Sequence, residues 1–313
     1  MKKKVVVLGG GNGLSTLLRG LKNFPIDITA IVAVSDDGTS TGRLREEFNI
    51  PAVGDIRRVL VSLSETEPLV EELLNYRFKT TSDLNGHTVG NLLLTAVTNI
   101  TGNLSDGVEA IGNILNLKGK VLPLTEDNCT LMAEMKDGKV IEGEHNITDY
   151  HGKIKKIFYK EEPEVAKETL NEIKNADLIV LSMGSLFTSI LPNLIIKDMI
   201  EAIDNSKAKI MYVCNIMTQP GETDNFKVSD HINTINSYLG KKKLDYVIVN
   251  NGKITPKIIE KYSVLEQKDP VIIDKENIDP ETKIIECDLI DTKTGAILHD
   301  VLKLGFNIFS CVL

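Results

Sequence analysis

The sequence predicts an α/β fold built on a doubly wound, mostly parallel sheet, and two observations carry that prediction. First, the chain opens with Val5-Val6-Val7-Leu8, then Gly9-Gly10-Gly11-Asn12-Gly13, then Leu14, Leu17, Leu18 and Leu21 at helical spacing. That reads as a strand buried on both faces, a glycine loop and an amphipathic helix. Second, from about residue 163 helical patterns alternate with three more apolar runs, 177–182, 208–214 and 244–249, each ending in a polar loop. Strands alternating with helices build βαβ units and a parallel sheet.

Taken in order, the run 26–34 is the second strand and completes a first βαβ unit. It exits into Ser35-Asp36-Asp37-Gly38-Thr39-Ser40-Thr41-Gly42-Arg43, which reads as a long polar loop. Asp55 stands where an N-cap would open a helix through Val59, Leu60 and Leu63. Arg57 and Arg58 in that first turn oppose the helix dipole, a conflict that a nearby anion relieves. Residues 68–76 form a helix, and Leu93, Ala96, Val97 and Ile100 give the next one an apolar stripe, with His87 and Asn91 near its start. Residues 119–160 change character: Val121 to Leu124 is strand-like, and Asp137-Gly138 between two β-rich segments signals a hairpin. This is a small β excursion on one nucleotide-binding domain that spans 1–313. Helices at 163–175, around Ile195 to Ile203 and at 228–238 separate the later strands. A C-terminal extension from about 262 holds strand-like pieces at 271–273 and 283–287 and a closing helix near 297–309. The β excursion and an uncovered sheet edge offer surfaces for a homodimer.

Bulk composition narrows the function class. With 313 residues, 42% hydrophobic and 26% charged, the chain has the balance of a soluble globular protein. A formal net charge of -8 excludes the broad basic face of a nucleic-acid binder. The start Met1-Lys2-Lys3-Lys4 is basic like a signal peptide, but the apolar run after it is short and ends in glycines. No apolar stretch approaches the ~18 residues of a membrane span, so a cytoplasmic protein is expected. Cys129, Cys214, Cys287 and Cys311 are widely spaced and form no zinc pattern with the five histidines; each reads as a small buried hydrophobe.

The glycine loop exposes backbone N–H groups at the start of a helix, so an anionic group, phosphate above all, is its natural guest. It lacks the Lys-Ser/Thr of a P-loop, and Leu14 stands where G-x-G-x-x-G needs its third glycine. Asp36, 23 residues beyond Gly13, sits near the position of a ribose-binding acid, which keeps a nicotinamide cofactor in view. The loop 183–189 has no nucleophile elbow, since Phe187 follows Gly184-Ser185-Leu186. Asp36, Asp37 and Asp55 can together hold magnesium, bond sugar hydroxyls or cap helices. His87 reads equally as a ligand group or as a packing histidine. Ligands of open parallel sheets bind at the carboxyl ends of strands, and five strand exits here are polar. The predicted chemistry is phosphate and hydroxyl recognition.

Six motifs then carry a resemblance. Gly9 to Ser15, Ser35-Asp36-Asp37-Gly38 with Gly42-Arg43, Pro51 with Gly54 to Arg57, Gly86-His87 with Gly90-Asn91-Leu92, Gly184 to Ser189, and Asn215 to Thr223 resemble, in order, the gluconeogenesis factor (YvcK-like) family. That family shares a superfamily with 2-phospho-L-lactate transferase (CofD-like). The resemblance implies a Rossmann-like fold in a cytoplasmic bacterial protein. It also implies a regulator that binds a UDP-sugar, UDP-N-acetylglucosamine or UDP-glucose, and is needed for cell shape and wall synthesis on gluconeogenic carbon sources. The residues implied at the ligand are Gly10, Gly11, Asn12, Gly13, Asp36, Asp37, Arg43, Asp55, His87, Asn91, Gly184, Ser185, Asn215, Thr218 and Tyr262. The alternative is a magnesium-dependent transferase of a phosphate-linked group, with Asp37 and Asp55 as metal-binding or catalytic candidates. A nicotinamide dehydrogenase has only Asp36 in its favour. The chain departs from the usual motifs at Asn12, Thr39 and Ser182-Met183, and at Leu298, where many members carry arginine before His299-Asp300.

Overall fold

A computed structural model describes residues 2–291 and 297–313; Met1 of the basic start lies outside them. Strand β1 (Lys4–Gly9) leads into α1 (Gly11–Leu21), so the helix begins inside the glycine run. Its four leucines are fully buried, at roughly 1.5–3 kcal/mol each. β2 (Asp27–Val32) pairs in parallel with β1. The polar stretch after β2 is loop only as far as Gly38, because α2 (Thr39–Phe48) starts there. Thr39, Ser40 and Thr41 look like loop residues in sequence, but Leu44 and the buried Arg45 anchor this helix, Arg45 by bonds to the carbonyls of Ser35, Asp36 and Cys129.

Helices α3 (Gly54–Leu63), α4 (Pro68–Asn75), α5 (Val89–Thr101) and α6 (Leu104–Ile114) precede β3 (Lys120–Pro123). The apolar stripe expected to bury α5 faces solvent instead: Leu93 and Ile100 are exposed, while Gly90, Asn91, Leu94, Thr95 and Thr98 face inward. β4 (Leu131–Met135), β5 (Val140–Glu142) and β6 (Ile154–Tyr159) form a separate antiparallel sheet of order β5-β4-β6, with α7 (Glu144–Asp149) between β5 and β6. The hairpin at Asp137-Gly138 is as expected, Gly138 taking φ +89°. The small sheet is narrower than 119–160, since Val121 and Leu122 of β3 pair with β2 in the main sheet.

The later chain runs α8 (Lys167–Lys174), β7 (Leu178–Leu181), a π-helical turn Leu186–Ile190, α9 (Lys197–Asn205), β8 (Lys209–Val213), α10 (Val228–Tyr238), β9 (Tyr246–Asn250) and α11 (Pro256–Glu266). It closes with β10 (Lys283–Cys287), a two-stranded ribbon of β11 (Ile290–Asp291) and β12 (Leu298–His299), and α12 (Val301–Ser310). Val271 to Ile273 is not a strand; there Val271 N–H donates to the Ile216 carbonyl. The seven-stranded sheet has the order β10-β9-β8-β7-β1-β2-β3, parallel throughout, which is the predicted doubly wound α/β architecture. Strand order reverses between β1 and β7, and a ligand crevice belongs at that switch point. Cys129 and Cys214 are buried, Cys287 and Cys311 half-buried, and no disulfide joins them. Among the described residues no helix is long and apolar enough to cross a membrane.

Candidate functional site

The crevice at the switch point is a cleft of about 600 Å³ at the carboxyl ends of the strands. Gly10, Gly11, Asn12 and Gly13 form one wall, at the start of α1. Packed directly against them are Met183 and Gly184 of the β7 exit, followed along the lining by Ser185 and by Asn215 and Thr218 from the β8 exit. Asp36 enters from β2, Asp55 and Arg58 from α3, and Tyr262 from α11. Eleven of the fifteen residues expected at the ligand thus line one cavity.

The start of α1 is not an empty anion site. Gly11, at φ +59°, donates its N–H to Asp55 Oδ2 at 2.5 Å. Asp55 is therefore no N-cap of its own helix; Val53 holds that position, and the Asp55 carboxylate reaches across to α1 and to Arg58. This ion pair resolves half of the dipole conflict read from the sequence. Arg57 resolves the other half by turning away, donating to Asn75 Oδ1 at 2.5 Å and to the Leu74 carbonyl. Burial pushes Asp55 up to about 6, with Arg58 pulling the other way and Asp36 adding to the rise.

Asp37 does not join Asp55. Its Oδ1 accepts the His145 N–H at 2.8 Å, tying α2's entry loop to the start of α7, so the acid beside Asp55 is Asp36. Asp36 is held by Gly38 N–H at 2.9 Å and Thr41 Oγ1 at 3.1 Å. His87 and Asn91 lie behind the cleft: His87 Nδ1 is 3.1 Å from Ser40 Oγ, and Asn91 Nδ2 donates to the same oxygen at 3.2 Å. This buried network fastens α5 to α2. Burial, then Arg43, hold the His87 imidazole below its ordinary value. Arg43 is exposed and donates to the Asn85 carbonyl at 3.3 Å. Thr218 and Asp269 exchange hydrogen bonds, and Tyr262 Oη accepts the Ile297 N–H at 2.9 Å, closing α11 and β12 over the mouth.

Among the lining residues absent from the expected set, Glu144 and His299 bear most on the chemistry. Glu144 arrives from the start of α7, the helix between β5 and β6, and burial together with Asp55, Asp36, Asp37 and Glu222 drives its carboxyl well above the usual range. His299 lies on the cleft wall with its Nε2 buried and without a partner among the described residues. Burial pulls its pKa down to about 4 against a smaller opposing effect of the Cys214 backbone, so the ring is neutral at pH 7, and with the proton assigned to Nδ1 its Nε2 is a hydrogen-bond acceptor. Asn215 offers a second acceptor: Nδ2 donates to the Gly184 carbonyl at 3.0 Å while Oδ1 is buried and has no partner among the described residues. Buried polar atoms of this kind are ordinarily satisfied, so a ligand with hydroxyl or N–H donors is the fitting complement. The only sequence signal for His299 was its place beside Leu298; Glu144 gave none, because its sheet is an insertion whose docking is tertiary.

Beneath the β7 exit, Glu222 accepts from Phe187 N–H at 3.1 Å and Thr188 Oγ1 at 3.4 Å, pinning the π-helical turn. Burial raises it from 4.5 to about 7. Because the folded value lies above the unfolded one, its stabilising contribution is complete below about pH 4.5 and is lost as pH rises through 7. Glu222→Gln is accordingly expected to gain on the wild type between pH 5 and 8, by up to about 3 kcal/mol. Urea melts of both proteins across that range check it; a pH-independent difference refutes the assignment.

Among the described residues no three His, Cys, Asp or Glu side chains gather closely enough to hold a metal by themselves. The Asp36 and Asp55 pair suits magnesium, which takes one or two carboxylates and completes its shell with water and phosphate oxygens.

A family model described as 2-phospho-L-lactate transferase CofD matches residues 5–290. The gluconeogenesis factor of Bacillus subtilis (strain 168) is 45% identical over 306 residues, 97% of this chain and 96% of that protein. The gluconeogenesis factor of Halalkalibacterium halodurans is 47% identical over 278 residues, 88% of this chain and 86% of that one. An X-ray crystal structure of a protein from Bacillus halodurans is similar at a TM-score of 0.95 and 43% identity, covering 99% of this chain and all of that chain.

Proposed function

We propose, from the premise that this chain belongs to the CofD family and within it to the gluconeogenesis factors, that it is a UDP-sugar-binding regulatory protein. The observation that carries this reading is the cleft at the β1/β7 switch point, lined by helix-start amides and by acceptors of Asn215 and His299 that have no partner among the described residues. The amides of Asn12 and Gly13, with Arg58, suit a diphosphate. The acceptors suit the hydroxyl and N–H donors of a sugar or base.

Charge points to a second component. Among the described lining residues Asp36, Asp55 and Glu266 stand against Arg58 and Lys268, while burial favours the neutral form of Glu144. A diphosphate adds to the negative side, and magnesium, if held by Asp36 and Asp55, would offset that charge. The expected result of calorimetric titration is saturable binding of UDP-N-acetylglucosamine or UDP-glucose, at least tenfold weaker in EDTA than in magnesium. Binding of NAD or GDP with none of either UDP-sugar refutes the reading.

The Asp36 and Asp55 pair also supports a second reading, a magnesium-dependent transferase of a phosphate-linked group. Its signature is consumption of a nucleotide donor lost in Asp55→Asn. Intact UDP-sugar after prolonged incubation with the protein and magnesium favours the regulator. On that reading the role in cell shape and wall synthesis on gluconeogenic carbon sources follows from sensing wall precursors.

A further inference from the structure

α5 is inside out. Its inward face is Gly90, Asn91, Thr95 and Thr98 with Leu94, and Thr95 Oγ1 and Thr98 Oγ1 are buried without partners among the described residues. Its outward face carries Leu93, Ala96 and Ile100, the last 81% exposed, and none of its thirteen residues is charged. Ordinary surface helices show the opposite pattern. Neighbouring α4 packs on α5 and also exposes Leu69, 70% exposed, and Leu73; Tyr76 at its end is exposed too, and its carbonyl accepts the Val89 N–H that opens α5.

We infer that this α4–α5 face is the contact between two copies of the chain. The α5 stripe is self-complementary, as a two-fold interface requires. Crossing two α5 helices antiparallel about Ala96 sets Leu93 of one copy against Ile100 of the other and the reverse, with the small alanine allowing close approach. The area agrees. The exposed parts of these side chains amount to roughly 600 Å² per copy, the upper end for a patch on a monomer, and pairing two copies removes about 1,200 Å², the threshold of a standard stable interface. α5 itself carries no charge, so two α5 helices meet without repulsion even though each chain carries a net charge of -8, while α4 brings the exposed Glu72 between Leu69 and Leu73.

The test is sedimentation of the full chain at micromolar concentration with two variants. The wild type is expected at twice the chain mass and Ile100→Glu at the chain mass, with the same circular dichroism and cooperative melt, since residue 100 is exposed in the single chain. Ala96→Cys is expected to give a covalent dimer under mild oxidation, whereas Leu302→Cys, on the exposed side of α12, gives none. A wild type that sediments as a monomer overturns the inference. So does a dimer that survives Ile100→Glu, because it runs through another surface such as the sheet edge at β3 or β10.

Discussion

Gly13→Val is expected to abolish ligand binding and to cost at least about 3 kcal/mol of stability. A Cβ at this position would lie 2.0 Å from the Met183 carbonyl oxygen, 2.5 Å from its carbon and 2.7 Å from the Gly184 nitrogen. All three are backbone atoms of the β7 exit, so no rotamer change relieves the clash. Either α1 withdraws from the sheet, losing part of the burial of Leu14, Leu17 and Leu18, or the β7 exit moves and opens the cleft between its two walls. Both routes damage the site. Thermal melts with a parallel UDP-sugar titration check it; a variant that melts and binds like the wild type contradicts the packing described for the switch point.

Asp55→Asn is expected to weaken UDP-sugar binding in magnesium by about thirtyfold, roughly 2 kcal/mol, and to erase the difference between magnesium and EDTA. The carboxylate stands at the centre of the site, on Gly11 N–H, on Arg58 and beside Asp36. Asparagine keeps the size and the Gly11 bond but supplies no charge to a cation. The opposite outcome is equally informative. Should the carboxylate merely occupy the place of a ligand phosphate, its neutralisation would free Arg58 and tighten binding without metal. Calorimetry of both proteins in magnesium and in EDTA separates the two, and tighter metal-free binding by the variant refutes the cation-bridged diphosphate. A urea melt guards against misfolding, since the variant also loses the half-exposed Arg58 ion pair.

The two variants probe different things legible at different levels. The glycine run, the strand exits and the acid at 36 were readable from sequence because each obeys a local rule: glycine before a helix, strand periodicity, acid after a strand; Asp55 was found by its motif, but its N-cap reading was wrong. The same rules misplaced Asp37, His87 and Asn91. Each sits within a motif, yet its side chain is claimed by a partner distant in sequence, Asp37 by His145 and the other two by Ser40.

The alternation of elements, the parallel sheet and the polar strand ends that line the cleft were legible in the sequence, since these follow from hydrophobic period and backbone sterics acting over a few residues. Only the tertiary structure decided that Asp55 rather than phosphate takes the first amide of α1, that Glu144 and His299 enter the cleft, and that the apolar stripe of α5 points outward. A hydrophobic period fixes the faces of a helix but not which face is covered. That depends on which neighbours reach it, and here Arg57 packs on Gly90 and Gly107 on Thr98, claiming the small polar side of α5 for the core.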